Sequence, residues 1–243
     1  MYKQLIDEVE QSKNPQKAKI LQNFFKTGKG QYGEGDIFLG IVVPKQRVLA
    51  KKYVGLDFAG IGKLVQSPYH EHRMIGLLIL TYKYQLAEKL KIKNPKLAED
   101  QQKNIYNFYL AHTGGINNWD LVDVTAPKIV GAYLRHRDKK ILFKLAKSKN
   151  IWERRIAIIS TFDFIYFGNH KTTILLAEYL LSDTHDLIHK AVGWMLREVG
   201  KRCGEKYLIE FLNRNATRMP RTMLRYAIER LNHELKYKYM RSK

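Results

Sequence analysis

Apolar residues recur along most of the chain at the three- and four-residue spacing of amphipathic α-helices. In the clearest case, one apolar stripe from Ile188 to Val199 occupies positions i, i+3, i+4, i+7, i+8 and i+11. No segment shows the alternation between hairpin turns that is typical of strands. Four of the six prolines stand near the beginnings of helix-like runs, where a missing N–H costs little: Pro15, Pro44, Pro68 and Pro95. The pattern predicts an all-α fold.

Five segments share an apolar residue, a charged residue and a following apolar run. The charged residues in this register are Arg73, Asp123, Arg155, Lys190 and Arg225. The last three intervals between them, 32, 35 and 35 residues, match the length of a two-helix repeat unit. We therefore expect helical pairs stacked into a superhelix, with these charges along one concave groove. Asp123 is the single acidic residue of the series.

The segment from Gly28 to Asp36 has four glycines in nine residues, which is incompatible with regular structure. We expect a mobile loop over about residues 27–36 that connects the first helix pair to the rest. It lacks the Lys-Ser/Thr ending of a phosphate-binding loop. A role in binding a ligand stays open.

Lysine and arginine outnumber aspartate and glutamate by 43 to 23, for a net charge of +20, which favours a polyanionic partner. The single cysteine, Cys203, excludes an internal disulfide framework and a cysteine-rich zinc site. The histidines do not cluster at metal-ligand spacing. We therefore expect no metal, and we expect no cofactor. Neither a signal peptide nor an apolar stretch of membrane-spanning length is evident, so we expect a soluble cytoplasmic protein.

Trp194 lies opposite the apolar stripe of its helix, in a row with Lys190, Arg197 and Lys201. An indole among cations suggests a functional surface. The alternative is that a neighbouring helix covers the ring.

Trp119 and Asp123 are four residues apart and therefore share one helical face. The alternative for Trp119 is a boundary position in the core, with Asn117 or Asn118 capping the helix. Arg155 stands among apolar residues, so its guanidinium needs either a carboxylate such as Asp123 or a bound phosphate. We expect the neighbouring Arg154 to be a solvated charge.

Four motifs in order, FLGI followed by a proline, NWDLVD, IWERRIAI and KAVGWMLREVG, together resemble the bacterial DNA alkylation repair glycosylases built from HEAT-like repeats. The resemblance runs from about Asn14 to Tyr226. It implies a single HEAT-like repeat domain over residues 1–243, curved into a solenoid with a basic concave groove.

The resemblance also implies residue roles. Trp119 and Trp194 match the tryptophans that face the modified nucleotide, Asp123 the catalytic aspartate, and Arg155 the arginine beside the DNA backbone. Phe24 stands where the family has a tyrosine, so a hydroxyl is lost there. We further predict that four cations contact DNA: Arg73, Lys190, Arg197 and Arg225.

The implied activity is hydrolysis of the N-glycosidic bond of cationic N-alkylated purines, 3-methyladenine and 7-methylguanine, in double-stranded DNA without base flipping. We expect a monomeric enzyme of the bacterial cytoplasm. One alternative is a non-catalytic nucleic-acid-binding repeat protein, in which Asp123 is only the ion-pair partner of Arg155. Another is a scaffold whose groove holds an acidic peptide.

Overall fold

The computed structural model describes residues 1–241, which fold as a succession of helices. The α-helices of this part of the chain are α1 (Tyr2–Gln11), α2 (Pro15–Phe24), α3 (Val43–Lys52), α4 (Phe58–Val65), α5 (His70–Leu90), α6 (Pro95–Ala111), α7 (Trp119–Ala126), α8 (Ala132–Leu134), α9 (Lys140–Ala146), α10 (Ile151–Tyr166), α11 (Lys171–Tyr179), α12 (Asp186–Arg202), α13 (Glu205–Asn215), α14 (Arg221–Ile228) and α15 (His233–Arg241). Two 3₁₀ turns, Thr113–Gly115 and Leu180–Ser182, and a π-helical turn, Pro127–Gly131, complete the helical structure.

The prediction of an all-α fold is confirmed. Between residues 1 and 241, the only pairing of extended backbone is an isolated bridge between Ile37 and Tyr69. Pro15 and Pro95 begin α2 and α6, as their positions in the sequence predict. The asparagine before each proline caps the helix, because Asn14 accepts a hydrogen bond from Lys17 N and Asn94 one from Leu97 N.

The chain divides into two compact units, Met1–Leu121 and Val122–Lys243, and the boundary falls within α7. That all 243 residues form one domain stays a prediction. In the first unit, α5 is the central element, since residues 70–81 are all buried and α3, α4 and α6 pack against it. A helix that is buried all round needs neighbours on every side, and these three helices supply them.

Glu71 connects α5 to the extended segment before α3. Its carboxylate is fully buried and accepts hydrogen bonds from the backbone N–H groups of Leu39, Gly40 and Ile41, at 2.8, 2.8 and 3.1 Å. Gly40 has a φ of +81°, and a Cβ there would lie 2.0 Å from the carbonyl oxygen of Asn14. The FLGI motif is therefore a binding site for one buried carboxylate.

The second unit contains successive helical pairs. Helices α10, α12 and α14 pack one against the next, and α9, α11 and α13 lie beside them in alternation along the chain. Arg155, Lys190 and Arg225 fall in α10, α12 and α14 respectively. The 35-residue repeat inferred from the sequence thus corresponds to one helical pair.

Pro127 marks a change in helical winding. α7 ends at Ala126, and the chain continues through the π-helical turn before α8 begins. Proline lacks the N–H for the regular α-helical bond, and a π-turn is one way to continue past it. Gly131, at the end of this turn, packs so closely that a Cβ would lie 2.3 Å from Ser160 O.

The glycine-rich segment has contacts with the rest of the first unit at two points, and its mobility stays a prediction. Asp36, at its end, is 4% exposed. The hydroxyl of Tyr32, in its middle, accepts a hydrogen bond from Trp119 Nε1 at 3.1 Å. Glycines at positions 30 and 35, with φ of +74° and +85°, provide turns in this segment.

None of the helices within residues 1–241 combines the length and the apolar character needed to cross a membrane.

The close packing of α12 on α14 predicts a stability effect at Gly193. A Cβ there would lie 2.4 Å from Met223 O and 2.5 Å from Tyr226 Cβ. We expect Gly193→Ala to lower the free energy of unfolding by about 1–3 kcal/mol, because backbone and side chain must both move. Denaturant unfolding measures the loss.

Gly62→Ala in α4 is the matched control, since the nearest atoms to its Cβ are at 3.8 Å. Alanine favours a helix over glycine, so this variant is expected to be unchanged or up to about 1 kcal/mol more stable. Equal losses in the two variants would contradict the packing argument.

Candidate functional site

Trp194 stands on the partly covered side of α12. The apolar stripe predicted from the sequence is completely buried: Ile188, Ala191, Val192, Met195, Leu196 and Val199. The indole opposite is half-buried, and its ring packs against Phe162 of α10, with centroids 5.8 Å apart. The structure thus agrees fully with neither alternative, a functional surface or a ring covered by a neighbouring helix. Phe162 covers part of the indole, and the rest of the ring is accessible.

Two of the cations predicted around Trp194, Lys190 and Arg197, have acidic partners. Lys190 pairs with Asp186 at 2.7 Å, and Arg197 pairs with Glu229 and lies 3.8 Å from Glu198. Lys190 is half-buried, whereas Lys201 is exposed. The Lys190–Asp186 pair is solvent-exposed and contributes little to stability, whereas the Arg197 side chain is only 17% exposed.

Asp123 and Arg155 form a bidentate ion pair in the second unit. Arg155 donates from Nε to Asp123 Oδ1 at 2.8 Å and from Nη2 to Oδ2 at 2.7 Å. Its Nη1 donates to Leu187 O at 2.5 Å. The side chains are 6% and 15% exposed for Arg155 and Asp123. The sequence left a choice between a carboxylate and a phosphate for Arg155, and the structure supplies the carboxylate.

The expectation for Arg154 is wrong. Its guanidinium is not solvated but donates to Asp183 at 2.6 and 3.4 Å, and the Asp183 side chain is 6% exposed. Helix α10 therefore begins with two adjacent arginines that each hold a different aspartate.

Trp119 belongs to an aromatic cluster of the first unit. Its ring stacks on Phe25 at 5.2 Å and meets Phe24 edge-on at 6.0 Å. Phe25 is buried, whereas Phe24 is 62% exposed. Trp119 is half-buried, and its Nε1 bonds to Tyr32. Phe24 is thus an exposed ring beside Trp119, and its contact with DNA stays a prediction.

A buried ionic network holds the beginning of α7. Asp36 accepts hydrogen bonds from Arg73 at 2.6 Å, from His70 at 3.3 Å and from Asn118 at 3.2 Å. The other ring nitrogen of His70 lies 2.9 Å from Asp120 Oδ2. Asn118 in turn accepts from Trp119 N, so the network extends to the residue that carries the indole.

Two aromatic rings pack against the imidazole of His70. Phe38 stacks on it at 4.4 Å and Phe25 lies at 5.2 Å. Burial lowers the pKa of His70, but hydrogen bonds to the carboxylates of Asp120 and Asp36 outweigh burial and raise it to about 9. Burial has the opposite effect on a carboxylic acid and raises the pKa of Asp36. The His70 hydrogen bond and the Arg73 charge nevertheless bring this pKa below its ordinary value. His70 is therefore an imidazolium at neutral pH.

The prediction that Arg73 contacts DNA is corrected. Its side chain is 4% exposed and bonds to Asp36 and to Ser67 O. Apolar surroundings in α5 bury it, and the ion pair neutralises it. Arg225 is exposed, and its contact with DNA stays a prediction. Arg155 is engaged by protein acceptors, so its contact with DNA stays a prediction.

Sequence reasoning missed His70, Asp36 and Tyr32. His70 and Asp120 are 50 positions apart, and no local periodicity connects them. One sequence signal for a buried ion pair was present. The glycine-rich segment ends on an aspartate, a helix begins with His-Glu-His-Arg, and each of these charged stretches directly precedes an apolar run.

Comparisons with known proteins agree with this architecture. A family model described as DNA alkylation repair enzyme matches residues 5–231. A solved structure described as a predicted DNA alkylation repair enzyme from Enterococcus faecalis has a TM-score of 0.66 and 17% identity, and the match covers 91% of this chain and 98% of that chain. At that identity, the likeness shows a shared fold. No curated protein matches the sequence.

The raised pKa of His70 predicts a loss of stability in alkali. A group whose pKa is raised on folding contributes fully below its unfolded value, near 6.5, and loses that contribution as the pH rises through about 9. We expect the free energy of unfolding to fall between pH 7 and pH 9.5 by on the order of a few kcal/mol. His70→Gln, which cannot carry the charge, is expected to be less stable at pH 7 and to show a flatter profile.

His72→Gln is the matched control, since His72 lies two positions away and is also buried. Burial lowers the pKa of His72, so this histidine is neutral throughout the alkaline range. Its variant is expected to keep the wild-type alkaline slope. Parallel profiles for wild type and His70→Gln would contradict the assignment.

Proposed function

The chain belongs to the family of DNA alkylation repair enzymes, and on that premise we propose that it is a glycosylase that excises cationic N-alkylated purines from double-stranded DNA. The substrates are 3-methyladenine and 7-methylguanine. The bond that breaks is the N-glycosidic bond, and water supplies the oxygen that replaces the base. The observation that carries the proposal is the carboxylate of Asp123, held in one orientation by the fork of Arg155.

The leaving group explains why one carboxylate is enough. An N-alkylated purine already carries a positive charge, so it departs as a neutral base without protonation by an acid. The sugar left behind becomes cationic in the transition state. A fixed negative charge that is oriented before the reaction stabilises this developing charge without reorganisation. Asp123 is proposed to provide that charge.

The ion pair with Arg155 is compatible with this role. A carboxylate has about four acceptor positions, so donation from an arginine fork still permits a water molecule to donate to Asp123. The water that attacks the sugar is proposed to be held in this way. The position of the carboxylate is strictly defined, because a bidentate pair fixes both oxygens.

Trp119 and Trp194 are proposed to contact the modified nucleotide. The faces of aromatic rings attract cations, with about 1–2 kcal/mol gained when the contact is desolvated. Trp119 is one helical turn before Asp123 on α7. Both indoles are half-buried, so each is held on one side and accessible on another. An accessible arrangement of this kind suits recognition without base flipping, which we include in the proposal.

Basic residues are proposed to hold the phosphates. Lys190, Arg197 and Arg225 lie on α12 and α14, and the net charge of +20 favours association with a polyanion. We expect the affinity for duplex DNA to fall steeply with added salt. We leave Arg73 out of this set because it is buried.

A non-catalytic nucleic-acid-binding protein is the second candidate. The bidentate pairing of Asp123 favours it, since a structural ion pair would have this same geometry. The two candidates differ in one outcome, which is release of 7-methylguanine from methylated duplex DNA. Failure of the wild-type chain to release the base at several salt concentrations would decide for the second candidate.

Substitution of Asp123 tests its role. We expect Asp123→Asn to lower the rate of 7-methylguanine release about a hundredfold or more, because the amide cannot compensate the sugar charge. Asp183→Asn is the matched control, since Asp183 also pairs with an arginine of α10 in the same unit. Both variants break a largely buried pair and are expected to lose stability, by up to about 3–5 kcal/mol. Equal excision rates per folded molecule would contradict a catalytic Asp123.

The tryptophans provide a second test. Trp194→Ala is expected to lower excision about tenfold or more, as loss of a desolvated cation–π contact requires. Trp152 of α10 is 6% exposed, so Trp152→Ala is expected to lose about 3–5 kcal/mol of stability. Thermal unfolding and excision are measured on both. If Trp194→Ala lost as much stability as Trp152→Ala, the indole of Trp194 would be a core residue.

A further inference from the structure

Two large aromatic side chains are exposed at the C-terminal end of α10. Tyr166 is 64% and Phe167 56% exposed, and their rings meet edge-on at 5.2 Å. Single exposed aromatic residues are common on protein surfaces. Two adjacent exposed aromatic residues beside arginine side chains are typical of a binding site. Neither residue takes part in the chemistry proposed above.

Guanidinium groups lie over these rings. Arg135 Cζ is 3.7 Å from the centroid of the Phe167 ring. Arg202 Cζ is 5.3 Å from the Phe162 ring and 5.7 Å from the Tyr166 ring. We call these five residues the aromatic–arginine surface. They come from the ends of three helical segments of the second unit, so the surface is formed by the packing of the repeats.

Carboxylates hold the two arginines in place. Arg135 donates to Asp163 at 2.8 and 2.7 Å, and Arg202 donates from Nε to Glu198 at 2.9 Å. The Arg202 side chain is 32% exposed. A guanidinium has five N–H donors, so its bond to Glu198 leaves Arg202 able to bind a further anion. The surface therefore presents a prearranged cation beside aromatic rings.

The aromatic–arginine surface adjoins Trp194. The Phe162 ring lies 5.8 Å from the indole of Trp194, between ring centroids, and 5.3 Å from Arg202 Cζ. Contacts between neighbouring side chains thus run from Trp194 through Phe162 and Arg202 to Tyr166 and Phe167. The proposed contact with the damaged nucleotide thus extends along α10.

The chemistry of this surface selects one class of ligand. Planar bases stack on aromatic side chains, and their phosphates bind arginine. In a duplex, the faces of the bases are stacked inside the helix, so a duplex cannot use exposed rings in this way. We propose that the aromatic–arginine surface binds an unpaired stretch of DNA, with bases stacked on Tyr166 and Phe167 and a phosphate at Arg202. The inference rests on the proposed function for its ligand, since that function makes DNA the partner.

Binding to single strands tests the inference directly. A labelled oligothymidylate of about 12 nucleotides is compared with an abasic oligomer of equal phosphate number, by fluorescence anisotropy with the full chain. We expect the wild type to bind oligothymidylate about tenfold or more tightly, because stacking requires bases. The Tyr166→Ala/Phe167→Ala double variant is expected to bind both oligomers alike.

Two control variants separate stacking from general effects. Tyr179 of α11 is 45% exposed and has Lys147 Nζ at 5.9 Å, so Tyr179→Ala removes a similar aromatic residue elsewhere in the same unit. It is expected to keep the preference for oligothymidylate. Phe167→Leu keeps an apolar side chain but no ring, and is expected to lose part of the preference. Because Tyr166 and Phe167 are exposed, the double variant should unfold at the wild-type temperature.

Equal binding of the two oligomers by the wild type would overturn the inference. It would also be overturned if the double variant kept the preference, or if the double variant lost only self-association as measured by light scattering. The assay contains no alkylated base, so it is independent of excision. A chain that prefers oligothymidylate but releases no 7-methylguanine would contradict the proposed function alone.

Discussion

Helix α7 carries two carboxylates, and each depends on one buried cation from another helix. Asp120 is bonded by His70 of α5, and Asp123 is bonded by Arg155 of α10. A largely buried charge without a partner costs several kcal/mol, so neither carboxylate would keep its place alone. The orientation of α7 within each unit, and hence of the side chains that it presents, follows from these pairs.

The requirement that a buried charge has a partner divides the side chains into two groups, paired charges in the interior and aromatic residues that solvent can reach. The charges that orient α7 are buried, neutralised and withdrawn from solvent, as Arg73 shows. The aromatic residues proposed to contact DNA, by contrast, are half-buried or exposed. A DNA repair enzyme needs both, because its charge must be in place before the substrate arrives while its contact surface must remain open to a large ligand.

Local periodicity predicted what depends on one helix. The buried stripe of α12 and the position of Trp194 opposite it follow from a spacing of 3.6 residues, as do the successive helical pairs of the second unit. The ionic network around His70 depends on contacts across 34 and 50 positions, which spacing cannot show. Arg73 was mistaken for a surface cation because its partner, Asp36, belongs to a glycine-rich segment without a regular pattern.

The carboxylate of Glu71 and the turn at Gly40 have a consequence for how the sequence can vary through descent. Loss of Glu71 leaves three buried N–H groups without an acceptor, while any side chain at Gly40 collides with the backbone at Asn14. A single substitution at either position is therefore expected to lower the stability of the protein. The two positions, 31 residues apart, are therefore each restricted for a separate reason, Glu71 by its three N–H donors and Gly40 by the backbone at Asn14.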